Sequence, residues 1–136
     1  MPMIEWTPEL SVGIKRFDNE HKLIVEMINK LFDAFQNGRG QEAVHDILDQ
    51  LVDYMRNHTS GEEFLLERHQ YPNLLAHRTE HGQMSDQIRA FQQRFENGGD
   101  ATTCIDLLKF LKTWLTNHIQ GCDKQYSNFL HERGVR

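Results

Sequence analysis

The sequence has little of what marks membrane proteins, secreted proteins or nucleic-acid-binding proteins. None of its apolar runs approaches the roughly 20 residues of a membrane-spanning helix, and its first residues do not form a signal peptide. A formal net charge of −5 and the lack of a basic run argue against a nucleic-acid partner. We therefore expect a cytoplasmic protein, without a membrane span, that acts as a monomer.

Cysteine is also scarce, since only Cys104 and Cys122 occur and no Cys-x-x-Cys pair is present. Both fall in the last predicted helix, where a rise of about 1.5 Å per residue separates them by roughly 27 Å. An intrachain disulfide would require that helix to unfold. The cysteines therefore suit a reducing compartment, and they argue against a zinc–thiolate site.

Proline and glycine are few, and they divide the chain into four long helical segments. We expect helices over residues 18–37, 41–69, 73–97 and 102–132, with Asp18 capping the first. An extended arm, residues 1–17, is expected to lie across them, fixed by Trp6, Val12 and Ile14. Four long helices joined by short loops predict an all-α, up-down-up-down antiparallel bundle, and the length fits one domain over residues 1–136.

Histidines and carboxylates interrupt the apolar faces of these helices. On the second helix, heptad spacing predicts an inward seam that contains a histidine and a glutamate, namely Val44, Ile47, Leu51, Tyr54, His58, Glu62 and Leu65. A buried, unpaired carboxylate costs several kcal/mol or is forced neutral. Such a side chain therefore needs a partner in the core, and a cation is the simplest one.

Antiparallel packing predicts that the inward donors of all four helices meet at one end of the bundle. The expected donors are His21, His58, Glu62, His77, His81, His118 and Asp123. Five histidines and two carboxylates suit two transition-metal ions bridged by the carboxylates. Nitrogen-rich, thiolate-free ligation favours iron, with manganese, zinc and copper left open. We expect the other three histidines, His45, His69 and His131, to lie in solvent.

The spacing between His118 and Asp123 does not fit a regular α-helix. Five residues advance the helix by about 500°, which leaves the two side chains about 140° out of alignment. Either Asp123 reaches around the helix, or a π-bulge near Gly121 absorbs one residue. Regular hydrogen bonding over residues 116–126 would exclude the bulge.

These motifs resemble the hemerythrin family, and specifically its single-domain bacteriohemerythrins. The resemblance covers nearly the whole chain and rests on Asp18-x-x-His21, His58-x-x-x-Glu62, Tyr71-Pro72, His77-x-x-x-His81, Trp114-Leu115-x-x-His118 and Asp123-x-x-Tyr126. It implies reversible O2 binding at a non-haem di-iron centre (Fe2+/Fe3+) with a bridging oxo or hydroxo group. Myohemerythrin, a relative, is itself a known example of the up-down-up-down bundle.

The resemblance also assigns roles to residues. One iron would take His77, His81 and His118, and the other would take only His21 and His58, which leaves a position free. Glu62 and Asp123 would bridge the two ions. Trp114, Leu115 and Ile119 would line the O2 pocket, and Tyr126 would hydrogen-bond near a bridging carboxylate. Thr59 stands where the family usually has phenylalanine. A hydroxyl in place of the aromatic ring should make the wall of the pocket smaller and wetter.

Three functions remain open at this point. The first is O2 storage, buffering or delivery to an unidentified client protein. The second is O2 or redox sensing, and the third is a di-iron oxidase or a peroxide- or NO-scavenging enzyme. The site is rich in histidine, without the paired Glu-x-x-His motifs of ferritin-like di-iron proteins, and no general acid is placed beside it. We therefore expect a binding protein, not an enzyme.

Overall fold

Five α-helices make up most of the chain. The computed structural model describes residues 3–136, in which α1 spans Lys15–Gln36, α2 Gly40–Arg68, α3 Leu74–Glu96, α4 Ala101–His118 and α5 Lys124–Glu132. A 3-10 turn, Pro8–Leu10, precedes α1, and a π-helical segment, Ile119–Asp123, joins α4 to α5. The α4–π–α5 unit is the predicted fourth helix. The boundaries of the other three differ from the predicted ones by one to three residues.

The helices pack as the predicted antiparallel four-helix bundle. α1 and α3 each lie against both α2 and α4, and α2 also contacts α4. Apolar side chains from every helix fill the space between them, and the largest fully buried ones include Phe17, Leu51, Leu107 and Tyr126. Within residues 3–136, no helix combines the length and the apolar character that a membrane span requires.

The amino-terminal arm ends at Ile14, three residues earlier than predicted, because Asp18 does not cap α1. The helix starts three residues earlier, and the Asp18 carboxylate reaches back to accept hydrogen bonds from the Ser11 hydroxyl and the Val12 N–H. Val12 and Ile14 are buried as expected, whereas Trp6 is only partly buried. The first two residues of the predicted arm, Met1 and Pro2, lie outside the described part.

One histidine that was predicted to lie in solvent instead fixes this arm. His131 donates from Nε2 to the carbonyl of Gly13 over 2.7 Å, and the Ser127 hydroxyl donates to the carbonyl of Val12 over 2.6 Å. Gly13 has a φ of +70°, and a Cβ there would collide with the His131 ring. The arm is therefore attached to α5, and a side chain at position 13 would push it away.

The inward seam of α2 differs from the predicted one at three positions. Leu48, Met55 and Leu66 are buried, whereas their neighbours Ile47, Tyr54 and Leu65 are only partly buried. α2 contacts three other helices, so its buried stripe is broader than a strict heptad seam. His58 and Glu62 are buried in either alignment.

Candidate metal centre

The bundle brings the seven predicted donor side chains together in one buried cluster. α1 supplies one donor, α2 and α3 supply two each, and the α4–π–α5 unit supplies the last two. No member is more than 5% exposed, and both carboxylates are fully buried: His21, His58, Glu62, His77, His81, His118 and Asp123. Residues separated by a hundred positions in sequence thus meet in the core because consecutive helices run in opposite directions.

The donors form two groups that share the two carboxylates. Ligand atoms of one group, Glu62, His77, His81, His118 and Asp123, lie within 4.8 Å of one another, and so do those of the other, His21, His58, Glu62 and Asp123. Each carboxylate points one oxygen toward each group. Oε1 of Glu62 faces Nε2 of His77 and His81, at 2.5 and 3.2 Å, while Oε2 faces Nε2 of His58 at 3.3 Å.

Asp123 divides its oxygens in the same way. Its Oδ1 lies 2.9 Å from Nε2 of His118 and 3.1 Å from Nε2 of His77, while its Oδ2 lies 3.2 Å from Nε2 of His21. Two carboxylates that each serve both histidine groups are what a pair of bridged metal ions requires. The uneven number of histidines, three against two, leaves one side of the pair with fewer protein donors.

The π-helical segment places Asp123 in this cluster. A regular α-helix would turn Asp123 away from the core by about 140° relative to His118. Residues 119–123 are instead π-helical, so that one turn takes up an extra residue and both side chains face inward. Of the two sequence-based alternatives, the bulge near Gly121 is the one present.

Three buried polar atoms in the cluster make no hydrogen bond, although histidine nitrogens lie within 3.2 Å of two of them. They are both carboxylate oxygens of Asp123 and Nδ1 of His21. Buried carboxylate oxygens are normally satisfied by donors, and leaving them unpaired costs several kcal/mol. Coordinated cations satisfy such oxygens, and imidazole and carboxylate without thiolate are ligands that iron accepts. The residues present therefore fit a di-iron centre.

The charges of the cluster hold protons in the absence of a metal. Burial alone lowers the pKa of His58, but hydrogen bonds to the Glu20 and Glu62 carboxylates outweigh it and raise that pKa to about 10. Burial likewise lowers the pKa of His77, and the neighbouring carboxylates of Asp123 and Glu62 raise it to about 10. Metal ions that bind at Nε2 displace these protons, so metal uptake is coupled to proton release.

Three further glutamates brace the histidines from outside, and each reaches from one helix to the next. Glu20 on α1 accepts from Nδ1 of His58 on α2 over 2.8 Å. Glu63 on α2 accepts from Nδ1 of His81 on α3 over 3.0 Å, and Glu80 on α3 accepts from Nδ1 of His118 on α4 over 3.1 Å. A hydrogen bond at Nδ1 fixes the ring and leaves Nε2 free to face a metal.

None of these three glutamates was among the site residues predicted from the sequence. Each of the three lies next to a metal-ligand candidate in sequence, so a helical turn places it on the flank that faces the neighbouring helix. Adjacency to an inward histidine or glutamate was therefore the usable signal. Glu80 also accepts a hydrogen bond from the thiol of Cys122.

Substituting glutamine for Glu63 is expected to weaken iron binding by about 10- to 100-fold, because the neutral amide polarises the His81 ring less. Glu67→Gln is the matched control, because both carboxylates bind Arg78 and only Glu63 also reaches a histidine. Competition with a chromogenic iron chelator measures the affinities. Equal affinities in the two variants would show that the brace has no influence on the metal.

A small pocket lies beside the histidines, lined largely by apolar atoms. Its volume of about 10 Å³ is close to that of one water-sized molecule. Three of the predicted pocket residues, Thr59, Trp114 and Leu115, line it, whereas Ile119 is fully buried outside its lining. We call it the inner pocket; its other lining residues are His21, Ile24, Met55, His58, His81 and His118.

Tyr126 does not line the inner pocket, but its hydroxyl donates to Oε2 of Glu62 over 2.9 Å. Burial and the charges of Glu62 and Asp123 raise the pKa of this tyrosine well above its ordinary value. The phenol therefore keeps its proton and holds Glu62 in the orientation that serves both histidine groups.

Comparison with known proteins agrees with this geometry. The family model described as hemerythrin HHE cation binding domain matches residues 12–130. A bacteriohemerythrin of Pseudomonas aeruginosa is 37% identical over 126 residues, which cover 93% of this chain and 80% of the relative. A bacteriohemerythrin of Methylococcus capsulatus is 33% identical over 127 residues, covering 93% and 95% of the two chains.

A solved structure leads to the same conclusion. The crystal structure of a wild-type hemerythrin superposes with a TM-score of 0.84 at 31% sequence identity, covering 93% of this chain and 96% of that one. The family model, the relatives and the solved structure all span the helices that carry the seven donors. This chain belongs to the hemerythrin family.

Proposed function

We propose that this chain stores, buffers or delivers O2, which it binds reversibly at a di-iron centre held by the seven clustered side chains. Reversible O2 binding at such a centre is the activity of the hemerythrin family. The observation that carries the assignment to these residues is the division of the Glu62 and Asp123 oxygens between three histidines and two. When bound, the two ions supply the reversible redox chemistry that captures O2.

The protein's part is to hold this centre rigidly and to keep its surroundings apolar. His77, His81 and His118 would hold one ion, His21 and His58 the other, and the two carboxylates would bridge them. Trp114 stacks on the His118 ring, with centroids 4.4 Å apart and planes 14° apart, and this contact restricts the imidazole. The apolar lining of the inner pocket limits the access of water and protons to the bound gas.

The lining of the inner pocket supports binding over turnover. Its polar groups are the Thr59 hydroxyl, the Trp114 indole and four histidine rings, all four of which would be metal ligands, and none of its side chains is a carboxylic acid. Stopped-flow mixing of the reduced protein with O2 and with H2O2 separates the two functions. Reversible colour change without consumption of peroxide supports the carrier; many turnovers per chain would establish an oxidase or peroxidase instead.

The proposal extends to a monomer in the cytoplasm that passes O2 to a client protein. The acidic net charge and the two free cysteines support this setting, because free thiols persist in reducing compartments. Light scattering on the iron-loaded protein measures its mass in solution. A mass of one chain, 16.0 kDa, is expected, and twice that mass would contradict the monomer.

Phenylalanine at position 59 is expected to slow oxidation of the O2-bound protein by several-fold. Thr59 lines the inner pocket, and its hydroxyl donates to the carbonyl of Arg56, so a polar group lies in the wall. An aromatic ring there would exclude water, and water promotes the departure of bound O2 as a reduced species that leaves the iron oxidised. Thr79→Phe, at an exposed threonine with a similar bond to its own helix, is the control. Decay of the oxygenated spectrum gives the rate, and an unchanged rate in Thr59→Phe would refute the role of Thr59.

A further inference from the structure

A second cavity lies directly outside the inner pocket, between α2 and α3. It has a volume of about 150 Å³ and opens to the surface. Met55 and Thr59 line both this cavity and the inner pocket, so these two side chains lie between the two spaces. We call the outer cavity the α2–α3 cleft; its other lining residues include Arg56, Ser85, Arg89 and Gln92.

The partition between the two spaces is easily displaced. Thr59 is small and only half-buried, and Met55 is an unbranched side chain with three rotatable bonds. Neither side chain belongs to the seven donors. A change of rotamer at Met55 can therefore open the partition without disturbing the metal ligands.

A larger surface cleft approaches the inner pocket from the other side, but its wall is rigid. This cleft of about 690 Å³, the Trp114 cleft, shares only Trp114 and His118 with the inner pocket. His118 is a metal-ligand candidate that is fixed by Glu80 and by the stacked Trp114 ring. Moving either residue of this wall would disturb a metal-ligand candidate, so passage on this side is disfavoured.

The mouth of the α2–α3 cleft carries positive charge. Arg56 and Arg89 line it, and its lining contains no carboxylate. The acidic group that pairs with Arg89 is Asp86, at 3.9 Å, with both side chains largely exposed, so the pairing is weak. Two cationic side chains at the opening raise the local concentration of small anions, and this effect weakens as salt is added.

We propose that the α2–α3 cleft is the access route to the O2 pocket and that Met55 and Thr59 form its gate. Arg56 and Arg89 make entry through this route faster for small anions than for neutral gases. The inference rests on the proposed function, since it describes how that site is reached. A gate on the only rapid path slows arrival and departure equally and leaves the equilibrium affinity unchanged.

A matched pair of tryptophan substitutions distinguishes the two routes. Ser85→Trp fills the α2–α3 cleft and Thr113→Trp fills the Trp114 cleft, and both side chains are exposed and neither is a donor. Stopped-flow and dissociation kinetics on the iron-loaded protein are expected to show O2 association and dissociation both slowed about tenfold in Ser85→Trp. Thr113→Trp should retain both rates. The reverse pattern, or a changed affinity with unchanged association, would overturn the route.

Charge and structure supply independent readouts. Association of azide with the oxidised protein should slow with increasing ionic strength, and the double substitution Arg56→Gln and Arg89→Gln should remove that dependence while leaving O2 association unchanged.

Crystals under xenon pressure should show xenon against Met55 in the α2–α3 cleft. Xenon confined to the Trp114 cleft, or azide kinetics unaffected by the double substitution, would refute the proposal. In each case reversible O2 binding by the unsubstituted protein shows that the proposed function itself stands.

Discussion

Alanine at position 123 is expected to reduce bound iron from two ions per chain to less than one and to abolish reversible O2 binding. Asp123 is fully buried, and its two oxygens face different histidine groups, so its loss would remove a proposed ligand of both ions at once. The affinity should fall by more than the about 10- to 100-fold that typically follows loss of an outer hydrogen-bond partner. Elemental analysis of the purified variant measures the iron content.

Asp106→Ala is the control for this substitution. Asp106 lies on α4, in the same α4–π–α5 unit, and its carboxylate pairs with Arg94 at the surface, away from the donors. The control should keep two ions and the oxygenated spectrum. Two ions retained in a folded Asp123→Ala protein would show that this carboxylate does not bridge them.

Removing iron is expected to lower the midpoint of thermal unfolding by at least about 15 °C. A ligand present at a thousand times its dissociation constant stabilises the native state by about 4 kcal/mol. In a domain of this size, each kcal/mol shifts the midpoint by about 4 °C. The metal also compensates the unpartnered oxygens of Asp123, which otherwise weaken the folded state.

Differential scanning calorimetry of metal-free and reloaded protein gives the two midpoints. The Asp123→Ala variant, measured the same way, should show little gain on adding iron, because the gain depends on the bound ions. Equal midpoints for metal-free and reloaded protein would mean that the cluster does not couple metal binding to folding.

The donor cluster could be anticipated from sequence because its signal is chemical as well as periodic. Histidines such as His81 stand at apolar positions of a helix, where hydrophobic spacing fixes the direction of the side chain regardless of small errors in register. Antiparallel packing then sets the depth of each donor. The inward face was therefore predicted correctly at His58 and Glu62, even though the predicted seam left out the buried residues Leu48 and Met55.

The register of α2 could not be fixed because two adjacent apolar residues compete for the same inward position. Ile47 and Leu48 differ by 100° around the helix, and both are apolar. Which of them is buried depends on where the neighbouring helices lie, and no local pattern encodes that position. Both alternatives gave the same donors, so the site did not depend on the choice.

The helix starts and outer hydrogen bonds were harder to predict because they depend on tertiary contacts. Asp18 has the side chain of a capping residue, but it binds the preceding arm from within the first turn of α1. Likewise, Glu63 differs from a surface glutamate only because His81 faces it from the next helix. Sequence periodicity predicts which side of a helix faces inward, but it does not show which neighbour each flank meets.

Anomalous diffraction at the iron edge, on crystals of the iron-loaded protein, tests most directly whether seven side chains hold a pair of iron ions. We predict two peaks in the cluster: one beside His77, His81 and His118, and one beside His21 and His58, with Glu62 and Asp123 touching both. A single peak, or peaks outside the cluster, would contradict the di-iron centre in this chain.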